Sequence, residues 1–209
     1  MKNVNRILDY FDELIPNPHC ELIYHKDYEF LIAVMLSAQT TDKRVNQVTS
    51  ILFNRYPTID SLSKADIYDI EEIIRPLGTF KRKAVNVQEI AYRLLKEQNG
   101  KVPKDREYLE TLAGVGRKTT NVVLSELYHV PVMAVDTHVE RVSKRLGLVK
   151  PQDNVLEIEK KLTKKIPRDR ISSTHHQFIL FGRYYCKAIS PLCGNCKLKD
   201  ICKNKKLSI

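Results

Sequence analysis

The chain reads as an all-α protein, and three observations lead there. Apolar residues recur at helical spacing in one segment after another, no apolar/polar alternation of period two runs for long, and the seven glycines are spread thinly over 209 residues. Neither a low-complexity linker nor an internal repeat interrupts the pattern.

The elements follow in order. Ile7, Leu8, Phe11 and Leu14 keep helical spacing until Asn17-Pro18 breaks it. Phe30 to Leu36 is apolar all round, as suits a helix through the middle of a lobe, and it runs into polar Ser37-Ala38-Gln39. Thr41 or Asp42 caps the next helix, which carries Val45, Val48, Ile51 and Leu52 and stops near Tyr56-Pro57. Ser63 is the candidate cap of a helix through Ile67, Ile70 and Ile74 to Gly78. Another helix holds Ala84, Val87, Ala91, Leu94 and Leu95 and closes at Asn99-Gly100. A short helix from Asp105 to Leu112 leads into Gly114-Val115-Gly116, and a new helix starts near Arg117. Asp136 stands before the periodic Val139, Val142 and Leu146, in a helix ending at Gly147. The segment Asp153 to Ile166 is helical with Leu156, Leu162 and Ile166 facing inward, and Pro167 ends it. Ser172 or Ser173 then opens the last long helix, through Phe178, Ile179 and Phe181 to Cys186.

Length and charge narrow the function. A chain of 209 residues can bury one sizeable core or two modest ones around a cleft. Lys and Arg number 35 against 25 Asp and Glu, a net charge of +10, which favours a polyanionic partner, nucleic acid before an anionic membrane. No apolar run approaches the roughly eighteen residues of a membrane span. Met1-Lys2-Asn3-Val4-Asn5-Arg6 leads into an amphipathic pattern and not into an apolar export segment, so the expected location is the cytoplasm.

Two stretches carry candidate chemistry. Gly114 and Gly116 flank one apolar residue between helical patterns, a placement that suits a positive φ and close approach of backbone to a partner. The start of the following helix offers N–H groups and the positive end of the dipole as a phosphate seat, although the same glycines also serve a plain αα turn. Lys118 lies in that first helical turn, where a cation is disfavoured; a neutral amine is a nucleophile, and Arg117 beside it adds to the effect. The plainer alternative is a solvated surface lysine. Asp136 is first of all an N-cap, yet a carboxylate held by backbone N–H groups can also steady positive charge on a nearby sugar ring.

The second stretch is cysteine-rich. Four of the five cysteines, Cys186, Cys193, Cys196 and Cys202, form C-x6-C-x2-C-x5-C. In a reducing compartment such crowding speaks for metal rather than disulfides. Four soft thiolates suit zinc or an iron–sulfur centre, and the uneven spacing departs from the paired knuckles of zinc ribbons. Lys187, Lys197, Lys199 and Lys203 interleave with the ligands, as a backbone-tracking surface or a solvated basic tail. Cys20 stands alone and reads as a small buried residue.

Leu-Ala-Gly-Val-Gly-Arg-Lys-Thr-Thr-Asn-Val-Val-Leu from Leu112, Val-Asp-Thr-His-Val-Glu-Arg-Val from Val135, Ser37-Ala38-Gln39-Thr40-Thr41-Asp42 and the cysteine run together resemble the helix-hairpin-helix DNA glycosylases of the endonuclease III branch, over nearly the whole chain. The resemblance implies two helical lobes flanking a DNA-binding cleft. One is a barrel of about residues 22 to 131 with the hairpin at about 107 to 130; the other joins residues 1 to 21 to 132 to 209, with the loop 186 to 202 around one [4Fe–4S] cluster held by the four cysteines. It also implies a bifunctional repair enzyme, monomeric and acting at the nucleoid, whose partner is double-stranded DNA containing damaged bases or abasic sites. Lys118 would expel an oxidised pyrimidine through a Schiff base and nick the strand by β-elimination, with Asp136 stabilising the charged sugar. Gln39 would enter the gap left by the extruded nucleotide. Gly114, Val115, Gly116, Arg117, Thr119, His138 and Lys187 would hold the DNA around it.

One segment departs from the family. Its members commonly wedge the duplex with a leucine in Gly-Leu-Tyr, and this chain has Gly78-Thr79-Phe80, which leaves Leu77 or Phe80 to substitute for a poor wedge at Thr79. A monofunctional glycosylase for adenine or thymine/uracil mispairs shares the motifs, and Lys118 argues against it. A non-catalytic helix-hairpin-helix module would need neither Lys118 nor Asp136.

Overall fold

In the computed structural model, which describes residues 2–204, every regular element among the described residues is helical. The chain divides into two compact units: Glu21–Tyr128, and the segment ending at Cys20 together with the segment beginning at His129.

The Glu21–Tyr128 unit is built around α2 (Asp27–Leu36), in which every residue from Tyr28 to Leu36 is buried. That is why its sequence shows no apolar stripe: a helix surrounded by others has no solvent face. Its one buried carboxylate, Glu29, accepts from the backbone N–H groups of His25 (2.8 Å) and Lys26 (3.2 Å) and so caps the helix it belongs to. α3 (Asp42–Arg55) buries Val45, Val48 and Leu52, whereas Ile51, expected on the same side, is 57% exposed.

Ser63 does not open a helix. It ends a short one, α4 (Ile59–Ser63), capped by Thr58, whose hydroxyl accepts from Ser61 N at 3.1 Å while the Ser61 hydroxyl accepts from Thr58 N at 3.1 Å. The Ser63 hydroxyl instead donates back to Asp60 O (2.8 Å). Asp66 caps α5 (Ile67–Ile74) by accepting from Tyr68 N at 2.8 Å. α6 (Phe80–Glu97) packs on α4, α5 and α2 through Ala84, Val87, Ile90, Ala91 and Leu94. α7 (Arg106–Glu110) and α8 (Arg117–Tyr128) form the hairpin, α8 lying against α2.

The other unit packs α1 (Lys2–Leu14) on α11 (Ile171–Leu180), with the Phe11 and Phe178 rings edge to face at 5.1 Å between centroids. α9 (Thr137–Arg145) and α10 (Val155–Lys165) complete its core through Val139, Val142, Ile158 and Leu162. In α10 the inward position next to Leu162 belongs to Ile158; Leu156 is 42% exposed. Its N-cap is Asn154, paired reciprocally with Glu157.

Neither Ser172 nor Ser173 caps the last helix. A 3-10 turn, Arg168–Arg170, runs directly into α11, and the Ser173 hydroxyl donates to Arg170 O at 3.0 Å. The final turn, Phe181–Tyr185, widens to a π-helix, so that Cys186 N donates to Phe181 O at 2.7 Å and Cys186 starts a loop. Among the described residues no helix is long and apolar enough to cross a membrane.

Candidate functional site

Asp105 caps α7 by accepting from Tyr108 N (3.2 Å), and the hairpin then tightens through Leu112 N to Leu109 O (3.1 Å) and Val115 N to Leu112 O (3.0 Å). Leu112 and Val115 turn inward. The first internal bond of α8 runs from Thr120 N to Gly116 O (3.0 Å), so the N–H groups of the opening turn precede it and face out of the hairpin.

The two glycines have different reasons. Gly114 has φ +74°, and a Cβ there would stand 2.4 Å from Asn86 Nδ2 on α6 and 3.2 Å from Met35 Cγ on α2. Gly116 has no positive φ, and its Cβ would meet nothing within 4 Å. Gly114 therefore lets the hairpin seat on α2 and α6, while Gly116 leaves one face of the turn open. Val115, expected among the DNA contacts, is buried with its N–H already committed to Leu112, and it supports the turn from inside.

Lys118 and Arg117 are exposed on the opening turn of α8 and Thr119 is half-buried beside them. Thr120 and Asn121 take the inward positions, where Asn121 Oδ1 accepts from Arg106 Nη2 at 2.7 Å. This inner anchoring fixes the rotation of α8 and hence which side chains face out.

Besides Asn99 (φ 53°), just past the end of α6, two turns of the same unit hold non-glycine residues in the left-handed region: Gln39 (φ 58°), leaving α2, and Thr79 (φ 56°), entering α6. Both are exposed. Leu77 is only 1% exposed, so it belongs to the core and presents no side chain to a duplex; the wedge candidates that reach the surface are Thr79 and the half-buried Phe80. Lys83 is a further residue of this region that its sequence surroundings do not single out. It is buried at 5% exposure, and its Nζ donates to Leu36 O and Ala38 O, both at 2.9 Å. The available signal was a lysine on the apolar stripe of α6, one turn from Phe80 and Val87.

In the other unit, Asp136 is the N-cap of α9: its Oδ1 accepts from His138 N (2.9 Å) and Val139 N (2.8 Å). His138 is half-buried with Nδ1 3.1 Å from Arg141 Nη2. Arg141 also donates to Gly182 O (2.7 Å) and Cys186 O (3.2 Å), and burial pushes its guanidinium below the ordinary value, with Arg145 adding to the effect. Arg145 donates to Cys186 Sγ (3.3 Å) and Lys187 O (2.7 Å). Lys187 itself is exposed.

Cys186, Cys193, Cys196 and Cys202 all line one cavity of about 320 Å³, walled also by Tyr10, Leu14 and Phe181. Burial, and then the other three cysteines, raise the Cys196 thiol above its ordinary value. Four thiols lining one largely apolar cavity fit a soft, positively charged centre, which would bind them as thiolates. No group of three or more His, Cys, Asp or Glu side chains among the described residues is drawn in tightly enough to clasp a single metal ion.

Residues 32–168 match the HhH-GPD superfamily of base excision DNA repair proteins. The chain is 44% identical over 203 residues to the endonuclease III of Bacillus subtilis, covering 97% of this chain and 93% of that protein. Its structure is similar to that of a trapped endonuclease III–DNA covalent intermediate, with a TM-score of 0.93 at 48% identity over 98% of this chain and 96% of the other. A thermostable thymine-DNA glycosylase has the same fold, with a TM-score of 0.84 at 19% identity over 97% and 96%. The chain thus belongs to the HhH-GPD superfamily and, within it, to the endonuclease III group of base-excision DNA glycosylase/lyases.

Proposed function

We propose that the protein, as a monomer, removes oxidised pyrimidines from duplex DNA through a Schiff base on Lys118 and then nicks the abasic site by β-elimination. The observation that carries this reading is the position of Lys118, exposed in the opening turn of α8 and two residues beyond the open face of Gly116. A phosphate seated on the N–H groups of that turn would set its deoxyribose beside the amine. A relative of the same fold has been captured as a covalent intermediate with DNA, which supports a covalent route.

The chemistry then runs on this chain's side chains. The Lys118 Nζ lone pair attacks C1′ while the glycosidic bond breaks and the base departs with the bonding pair, taking up a proton. Ring opening, with one Nζ proton passing to the departing O4′, leaves an iminium between Nζ and C1′, which acidifies the C2′ protons; loss of one forms a C2′–C3′ double bond conjugated to the iminium and expels the 3′ phosphate. Asp136, its carboxylate fixed by two backbone N–H groups, supplies the negative charge that steadies the cationic sugar. Extruding the nucleotide costs a few kcal/mol, less for a damaged base. Gln39 fills the vacated space, where its amide both donates to and accepts from the orphaned base, and Phe80, beside the poor wedge Thr79, flanks it as the wedge. Arg117, Thr119, His138 and Lys187 bind the backbone.

Cys186, Cys193, Cys196 and Cys202 would hold a [4Fe–4S] cluster, which braces the loop that presents Lys187. No bond-breaking step needs it.

Borohydride reduction on a duplex containing an abasic site tests the reading. The wild-type chain gives a covalent adduct and Lys118→Gln gives none while still binding; an adduct that persists in Lys118→Gln would remove lysine from the mechanism. Asp136→Asn keeps the helix cap, since asparagine caps as well as aspartate, and lowers turnover by about 100-fold with binding largely kept.

A further inference from the structure

We propose that Lys83 is a positioning residue for gap filling: its buried ammonium holds the left-handed turn that presents Gln39 in register with the turn that presents Thr79. The inference rests on the proposed role of Gln39.

Lys83 makes three bonds that matter together. Its Nζ donates to Leu36 O and Ala38 O at 2.9 Å each, on either side of the chain's exit from α2 and immediately before Gln39. Its backbone N donates to Thr79 O at 3.1 Å, closing the first turn of α6 onto the left-handed Thr79. One residue therefore ties both strained turns to a single rigid helix. One turn further along α6, Asn86 Nδ2 fills the space beneath Gly114, so the hairpin rests on the same stretch of helix.

The arrangement is expensive for the fold. An ammonium at 5% exposure is stripped of water, which lowers its pKa from the ordinary lysine value, and among the described residues no carboxylate pairs with it. A methionine would occupy the same volume without that cost. What the ammonium supplies is a pair of donors for the last carbonyl of α2, Leu36 O, and for Ala38 O just beyond the helix end, where the dipole is negative. Those carbonyls set the path of the chain into Gln39, and a left-handed glutamine has no intrinsic preference for its conformation. Without Lys83 the turn relaxes and the Gln39 amide is no longer aimed.

A double-mutant cycle on the full cluster-containing protein tests this, with single-turnover excision of one oxidised thymine from a duplex oligonucleotide as the readout. Gln39→Ala and Lys83→Met each lower kcat by about 10-fold, with KM for the duplex little changed, within the up to about 100-fold that a misplacement of about 1 Å can cost. If Lys83 acts through Gln39, the double variant falls no more than about twofold below the weaker single variant. A loss near the product of the two, about 100-fold, overturns the inference while leaving the role of Gln39 intact. A Gln39→Ala protein with full activity overturns the gap-filling reading itself. Ile90→Val, a core change elsewhere on α6, controls for destabilisation and keeps kcat per folded molecule. Should Lys83→Met fail to fold, Lys83→Gln, which retains one donor to the same carbonyls, carries the cycle, and Lys83→Arg restores part of the loss.

Discussion

Replacing Gly114 by alanine separates two functions that the hairpin glycines have in common only on paper. At φ +74° an L-residue costs roughly 1–2 kcal/mol relative to glycine. The new methyl would also lie 2.4 Å from Asn86 Nδ2 and 3.2 Å from Met35 Cγ, so one side chain must move. The closer neighbour, Asn86 Nδ2, is the end of a flexible side chain, and Met35 Cγ need give by only a few tenths of an ångström, which puts the packing penalty toward the low side of the usual ~1–3 kcal/mol for overfilling a packed site. Together these predict a loss of about 2–4 kcal/mol in urea unfolding, read as a lowered midpoint at unchanged slope. Adding Asn86→Ala to Gly114→Ala should return about 1 kcal/mol by removing the clash and leaving the backbone strain. Gly116→Ala behaves differently. Its methyl enters open space, so stability changes by at most about 1 kcal/mol, the ordinary preference for glycine over alanine at a helix start. Its effect falls on DNA, where the methyl stands on the face offered to a phosphate, and anisotropy with an abasic-site duplex should show weakened binding. A Gly114→Ala protein within about 1 kcal/mol of wild type, or a Gly116→Ala protein that binds as tightly as wild type, would refute this division of roles.

The parts of the fold that sequence made visible are those with a local cause. A helix buried on all sides announces itself as an unbroken apolar run, as in α2, and Asp136 before Thr137-His138-Val139 has few roles other than a cap. The cysteines crowd together because the loop between them is short. Where two local signals compete, sequence gives the wrong member: Ser63 and Asp66 are both acceptable caps for the helix through Ile67, and only the bond from Tyr68 N to the Asp66 carboxylate selects Asp66. Leu156 and Ile158 are both apolar, two positions apart, and the choice between them is made by the helices they meet. The least legible features are the left-handed turns at Gln39 and Thr79. Nothing in glutamine or threonine favours a positive φ, so the conformation is imposed from outside, and the residue that joins them, Lys83, is remote in sequence from one of the two. Gly114 and Gly116 look alike for the same reason: the side chain that makes Gly114 obligatory is on another helix. Function at this site is thus written mostly in contacts between helices.

Cys202→Ser should remove visible absorbance from the purified protein and lower its thermal midpoint; a wild-type protein that is colourless and contains zinc would overturn the iron–sulfur assignment. Acid sensitivity should trace partly to Asp153, whose buried carboxylate accepts from Lys161 Nζ at 2.5 Å and from Lys150 N at 2.7 Å. The Lys161 bond first, and then the Lys150 N–H, hold this carboxyl below the usual carboxylate range. Because its folded pKa is depressed, the stability it contributes is complete above the unfolded value of about 3.9 and is lost as pH falls through the lower, folded value. Asp153→Asn removes the ion pair at every pH but keeps an acceptor for Lys150 N. Its thermal midpoint should therefore lie below that of wild type by a constant amount between about pH 5 and 7, and the gap should close as the solution is acidified below about pH 4. A gap that persists unchanged to about pH 2 would mean that the carboxylate's charge contributes nothing and that Asp153 serves the fold only through its shape.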